Sequence, residues 1–138
     1  MPDAPAKPFR VLPALDDDNR FFWTSGADGR LRFLRCQNCG YYLHPPLPQC
    51  PMCESRDLKP EAVSGAGTVH SFTINYQPWD GSADAWAIIL VELPEQQGLR
   101  LTSNMVNCAL DDVRIGMAVQ VVFEQHDDIY FPLFEPAP

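Results

Sequence analysis

The chain has 138 residues, 46% of them hydrophobic, and carries 18 Asp and Glu against 10 Lys and Arg, a formal net charge of −8 at pH 7. That length suits one compact domain with a small appendage and excludes two large domains. No apolar run reaches the roughly 18 residues of a membrane span, and the start MPDAPAKPFR lacks the apolar stretch and cleavage site of a secretory signal, so the expected location is the cytoplasm, where thiols stay reduced.

Residues 1–35 read as a leader with a short helix. The run Asp16, Asp17, Asp18 places carboxylates where they favour a helix N-terminus, the apolar cluster Phe21, Phe22, Trp23 follows, and Gly26 or Gly29 stops the helix. The alternation from Arg30 to Leu34 predicts a short strand leading into the first cysteine pair.

Residues 36–60 form a cysteine module, rich in Pro and without regular periodicity. Cys36 and Cys39 are two residues apart, as are Cys50 and Cys53, and ten residues lie between the pairs. Two such tight knuckles, returned by a short connection, let four thiolates converge tetrahedrally on one ion, and zinc is the metal this pattern fits best. Iron in a four-thiolate site, two disulfides and unligated thiols are the alternatives; a reducing compartment opposes the disulfides. A closed shell of four thiolates leaves no position for water or substrate, so the zinc is expected to be structural, its binding contributing on the order of 10 kcal/mol to a segment too small to fold alone.

From Val63 onward the pattern changes to strands separated by turns: GTVHSFTINY, AWAIILVEL, GLRLTSNMVNC, MAVQVVFEQ and IYFPLFE. No connection is long enough for a crossover helix, and residues 109–116 have room only for a helical turn. The fold class expected is mainly β: a helical leader, a cysteine-bound ribbon, and a C-terminal five-stranded OB-fold barrel over residues 61–138.

Charge is split along the chain. Residues 1–59 sum to about +1, whereas residues 60–138 hold only Arg100 and Arg114 against eleven acids, about −9. Zinc ribbons and OB-folds both occur in single-stranded nucleic-acid binding, which is the alternative function, but the acidic barrel half lacks the cationic groove that such binding needs.

Catalytic candidates are sparse. His44 falls in the proline loop, His70 in a strand and His126 in a turn, with no shared motif, and they read as structural or surface residues; Cys108, alone near the end of a strand, reads as core packing. No phosphate-binding Gly loop or Ser/His/Asp signature occurs. Phe21, Phe22, Trp23 and Trp79 have two readings, a leader folded back on the barrel or an apolar patch that docks another subunit. Arg30 and Arg32 share one strand face with Arg35 on the other, a solvated face or contacts for the phosphates of an acidic cofactor.

The order FFWTSGADGRLRFLRCQNCG, HPPLPQCPMCES, SGAGTVHSFTI, VELPEQQGLRLTSNMV and DDVRIGMAVQVVFE resembles the family known as domain of unknown function 35 (DUF35), from about residue 16 to 134. The resemblance implies a rubredoxin-like zinc ribbon joined to an acyl-CoA-associated OB-fold, with Cys36, Cys39, Cys50 and Cys53 as the zinc ligands. It implies a noncatalytic subunit in a hetero-oligomer with a thiolase-superfamily enzyme, among them thiolases, acyltransferases and retro-aldolases that shorten steroid side chains. Such a subunit organises the complex and can contribute to the acyl-CoA channel; no catalytic residue carries over. One departure is His44, which stands directly before Pro45 and Pro46 where the family often has an aromatic residue.

Overall fold

In the computed structural model, which describes residues 10–77 and 84–138, the leader begins at a reciprocal cap. The Asp16 carboxylate accepts from the backbone N–H of Asp18 and Asn19 at 2.9 and 2.8 Å, while the Asn19 side-chain oxygen accepts from the Asp16 N–H at 2.9 Å. Donors that would otherwise lack partners at the helix start are satisfied in pairs. Helix α1 (Arg20–Thr24) follows, tightens into a 3-10 turn at Ser25–Asp28, and ends at Gly29 with φ 78°. Gly26 in that turn lies flat on the barrel: a Cβ there would fall on the Phe123 ring and within 2.6 Å of the Tyr130 Cβ.

Strand β1 (Arg32–Cys36) starts two residues later than the alternation predicts and runs into the first cysteine. Its pairing explains the shift. It lies antiparallel between β2 (Tyr42–Leu43) and β3 (Leu58–Ala62), with Cys36 opposite Leu58 and Arg32 opposite Ala62. The β3 sequence LKPEA has no strand signal of its own, and its Pro60 is tolerated because β3 is an edge strand.

The second sheet holds β4 (Ala66–Asn75), β5 (Trp86–Glu92), β6 (Arg100–Asn104), β7 (Ala118–His126) and β8 (Ile129–Pro136), in the order β6-β5-β4-β7-β8. Met105 and Phe134 form a parallel bridge, so the chain after β6 meets β8 and the sheet closes on itself in OB-fold topology. The five strands expected from sequence are the five observed. The β6–β7 connection contains only the 3-10 turn Leu110–Asp112, so α1 and its following turn supply the helical element that packs on β8.

Alternation along β5 puts Ala87, Ile89 and Val91 inside the barrel. Phe22, Leu31, Phe33 and Tyr42 belong to the same buried cluster as these residues, Val119 and Phe134. Leader, ribbon sheet and barrel therefore share one apolar interior. A second, smaller cluster of Cys36, Leu43 and Cys50 lies under the metal knuckles. Among the described residues no helix is long and apolar enough to cross a membrane.

Candidate metal centre and the adjoining groove

The two cysteine knuckles are built alike. The Gly40 N–H donates to the Cys36 carbonyl at 2.9 Å, and the Glu54 N–H donates to the Cys50 carbonyl at 2.9 Å. Each knuckle then turns through a left-handed residue, Gly40 at φ 81° and Glu54 at φ 67°. Backbone pairing fixes both ends: Cys36 N–H to the Tyr41 carbonyl at 2.8 Å, and Cys50 N–H to the Ser55 carbonyl at 2.9 Å.

These turns bring the four Sγ atoms within 4.8 Å of one another. Cys36 and Cys53 sulfurs are 3.5 Å apart and those of Cys39 and Cys50 3.6 Å, so no pair is bonded as a disulfide. A tetrahedral zinc with Zn–S near ~2.3 Å needs S–S edges of about 3.8 Å, close to what the knuckles present. The Cys39 N–H points at the Cys36 sulfur and the Met52 N–H at that of Cys50, each at 3.4 Å, and the Asn38 amide reaches the Cys53 sulfur at 3.4 Å.

The electrostatics agree with one shared ion. The Cys39 N–H draws the Cys36 thiol down to about 6, and the Asn38 amide lowers that of Cys53. The Tyr41 N–H pulls on Cys39 too, but burial and the Cys50, Cys53 and Cys36 sulfurs outweigh it and push that thiol up to about 12. Four sulfurs this close cannot all carry charge unless a cation sits among them. The donor set fits a structural zinc, and four thiolates fill its coordination shell.

His44 stays out of this shell. Its ring lies 4.9 Å from the Phe22 ring and 4.7 Å from that of Phe33, tilted 36° to each, and burial lowers its pKa to about 4. It packs as a neutral aromatic, filling the place where the resemblance leads one to expect an aromatic side chain. The ribbon tip is thereby keyed into the leader and the shared core.

Beside this contact an open groove of about 620 Å³ runs between Trp23 of α1, the tip residues His44, Pro45 and Pro46, and the seam of β6 (Arg100–Asn104) with Phe131, Pro132 and Leu133 of β8. Arg10 also lines it; it is ion-paired with Glu124, and its guanidinium stands 5.4 Å over the Phe131 ring. Arg100 is paired with Glu92 at 3.1 Å. Nothing in the sequence marks this groove, because its walls come from four segments far apart in the chain.

The residues singled out from sequence are distributed as follows. Phe22 is 5% exposed and buried in the core, whereas Phe21 and Trp23 are half-buried against it, Trp23 meeting Phe131 edge-on at 5.6 Å. Trp79 lies outside the described residues. Arg30 is exposed. Arg32 grips Asp28 with two hydrogen bonds of 2.9 and 2.6 Å, holding that carboxyl down to about 2. Arg35 pairs with Glu61 at 3.0 Å, donates to the Gly40 carbonyl at 2.9 Å and stacks 4.5 Å over Tyr42. Two of the three expected phosphate contacts are thus already held by carboxylates. Cys108 packs half-buried on the core with its thiol pushed up by burial, and His126 is bonded to Glu124 at 2.7 Å.

Comparison with known proteins matches residues 23–59 to the ChsH2 rubredoxin-like zinc ribbon domain and residues 60–124 to the ChsH2 C-terminal OB-fold domain. A probable enoyl-CoA hydratase alpha subunit of Thermomonospora curvata is 35% identical over 133 residues, 95% of this chain but 41% of that protein. A DUF35 domain-containing scaffold protein of Methanocaldococcus jannaschii is 35% identical over 95 residues, 67% of this chain and 66% of that one. The chain therefore spans less than half of the hydratase subunit and about two thirds of the scaffold protein. The solved structure described as "Ltp2-ChsH2(DUF35) aldolase" superposes with a TM-score of 0.82 at 34% identity, covering 92% of this chain and 100% of the other.

Proposed function

The chain belongs to the DUF35 family of zinc-ribbon/OB-fold proteins, and from that premise we propose that it is a noncatalytic subunit that binds a thiolase-like enzyme acting on acyl-CoA and supports assembly of the complex. The observation that carries this reading is the match to the DUF35 chain of the aldolase named above, 34% identical and covering 92% of this chain and 100% of that one. The name of the scaffold protein points the same way. Two of the three histidines are already engaged: His44 is packed between rings, and His126 is held by Glu124, which also binds Arg10, while His70 is exposed on β4.

In this reading Cys36, Cys39, Cys50 and Cys53 hold a structural zinc, whose binding is favoured by the reduced thiols of a cytoplasmic location. The zinc fixes the ribbon; Phe21 and Trp23, half-buried at the leader surface, offer their remaining edges to the partner. The proposed assembly is a hetero-oligomer built on the partner enzyme's own symmetry.

Co-expression with a thiolase-like protein from the same genome tests the proposal. A stable complex on size exclusion, with the partner's solubility or activity restored, is the expected result. Two proteins that elute separately, the partner fully active alone, would overturn it.

A further inference from the structure

The two sheets end in the edge strands β2, β3, β6 and β8, and all but one of these edges are closed by devices of their own. The outward backbone of β2 is that of Tyr42, which the Gln96 side chain caps. In β3 the Val63 N–H donates to the Leu31 carbonyl, so odd-numbered residues face β1, and Pro60 stands at an outward position with no N–H to offer. In β8 the Ala137 N–H donates to the Ala118 carbonyl at 3.0 Å, and this parity turns Pro132 and Pro136 outward. The outward Phe134 carbonyl takes the Val106 N–H, and that of Pro132 takes the Ser103 hydroxyl.

Strand β6 has no such protection. The Leu93 N–H donates to the Leu99 carbonyl at 2.9 Å and the Met105 N–H to that of Ala87 at 3.3 Å, so Leu101 and Ser103, in the same parity, bond to β5. The N–H and C=O groups of Arg100, Thr102 and Asn104 therefore point away from the sheet, and no proline or lysine within β6 blocks them. This edge opens on the groove of about 620 Å³ beside α1 and the ribbon tip. The Trp23 indole N–H, in the same groove, also has no hydrogen-bond partner among the described residues.

A row of backbone groups repeating every second residue is satisfied by another extended chain. A second copy of this protein is the wrong shape for it: the edge is recessed in a groove wall, two recessed edges cannot lie side by side, and each copy carries a net charge of −8. Arg10 and Arg100 are balanced by Glu124 and Glu92, so a charged side chain entering the groove would find no free counter-ion.

We propose that β6 takes up a further strand, an extended and uncharged segment of the partner enzyme lying in the groove beside α1. That the segment comes from the enzyme rests on the function proposed above; the open edge belongs to this chain alone. Segment residues opposite Arg100, Thr102 and Asn104 exchange backbone bonds with them. Those opposite Leu101 and Ser103 turn their side chains the same way as the buried Leu101 and are apolar. A carbonyl on the far edge of the segment takes the Trp23 indole N–H.

Amide exchange of the zinc-loaded chain tests the edge. The probes are the capped peptide Ac-Thr-Val-Thr-Val-Thr-NH2, the same peptide N-methylated at its central threonine, and the same peptide N-methylated at one valine. At millimolar concentration the first and third should slow exchange at Arg100, Thr102 and Asn104 at least about tenfold, with much less change at Leu101 and Ser103, which are already bonded to β5. The second should not, because its methyl group removes the donor that faces β6. Thr102→Pro removes an N–H that β5 does not use and should abolish the effect, whereas Thr102→Val, which keeps the amide, should retain it. No slowing, equal slowing along all of β6, or the two methylated peptides acting alike would each overturn strand addition, and the peptide comparison holds even if Thr102→Pro fails to fold. In the co-expressed complex the same alternation on β6 is expected, and a complex that forms equally well with Thr102→Pro would overturn the enzyme as the source. Absence of any complex counts against the assembly reading, while the peptides still decide whether β6 accepts a strand.

Discussion

The side-chain amide of Gln96 acts as a strand partner for Tyr42, accepting from its backbone N–H at 2.9 Å and donating to its carbonyl at 3.0 Å. Gln96 sits in the turn after β5, and Tyr42 opens β2, so one amide joins barrel and ribbon. Tyr42 is 8% exposed, which leaves its backbone groups little access to water if Gln96 is removed. Gln96→Ala should therefore cost about 1–3 kcal/mol, the penalty of burying unsatisfied polar groups. Urea denaturation of the zinc-loaded protein checks this, a lower midpoint at unchanged slope being the expected outcome.

Gly26 allows the leader to lie against β7 and β8 with no side chain between them. Gly26→Val forces a branched group into the Phe123 ring and the Tyr130 Cβ, and overpacking of this kind costs about 1–3 kcal/mol. Thermal melting should show the loss, and proteolysis should cut the leader near Arg20 or Arg30 sooner than in the unaltered chain.

His44 sets a pH dependence whose sign follows from its burial. Its folded pKa is lowered to about 4 from an ordinary 6.5, so between these values the unfolded chain binds a proton that the folded chain does not. Stability rises with pH across that window: the His44 contribution is complete above about 6.5, declines as pH falls to about 4, and levels off below it, an upper bound of about 3 kcal/mol. His44→Phe keeps the ring between Phe22 and Phe33 and removes the titration. The difference between the two proteins' unfolding free energies, measured from pH 7 to pH 4, should shrink or reverse in favour of the variant as acid is added.

Zinc removal should reach further than the ribbon. The loop between Cys39 and Cys50 carries His44 into contact with Phe22, next to Trp23 on α1. Chelation is expected to release that loop and loosen α1 with it, so amide exchange should accelerate at Arg20–Thr24 as well as at the cysteine knuckles. Cys53→Ser, which removes one ligand, should reproduce the effect at any zinc concentration that saturates the unaltered protein. Faster exchange confined to residues 36–60 would show that the metal does not support the leader.

Glu54 marks one difference between the second knuckle and the first. It occupies at φ 67° the left-handed position that Gly40 fills in the first, a conformation costing about 1–2 kcal/mol per L-residue. Glu54→Gly should relieve that strain and raise stability by about 0.5–1 kcal/mol after the added freedom of the unfolded chain is counted. Denaturant titration of the zinc-loaded variant measures the change.

The parts of this fold legible in the sequence are those with a local signal. Alternation located β5, turn residues separated the five barrel strands, and cysteine spacing marked the metal knuckles. What stayed hidden depends on contacts between distant segments. Strand β3 exists because β1 offers it a partner, since LKPEA would not be strand on propensity alone. The fate of Arg32 and Arg35 was equally illegible, because Asp28 and Glu61 come within reach only after the leader turns and β3 pairs. The groove required four segments at once, and Arg10, His44 and Phe131 share no motif.

The common interior of leader, ribbon and barrel bears on how such a chain can be inherited. A recombination event that joined a foreign barrel after residue 60 would separate Phe22 and Phe33 from Val69 and Phe134, leaving both halves with uncovered hydrocarbon. Crossovers are tolerable only ahead of the Asp16 cap, where few buried contacts are divided. Residues 16–136 should therefore travel between proteins as one indivisible cassette, fused to other enzymes whole or not at all.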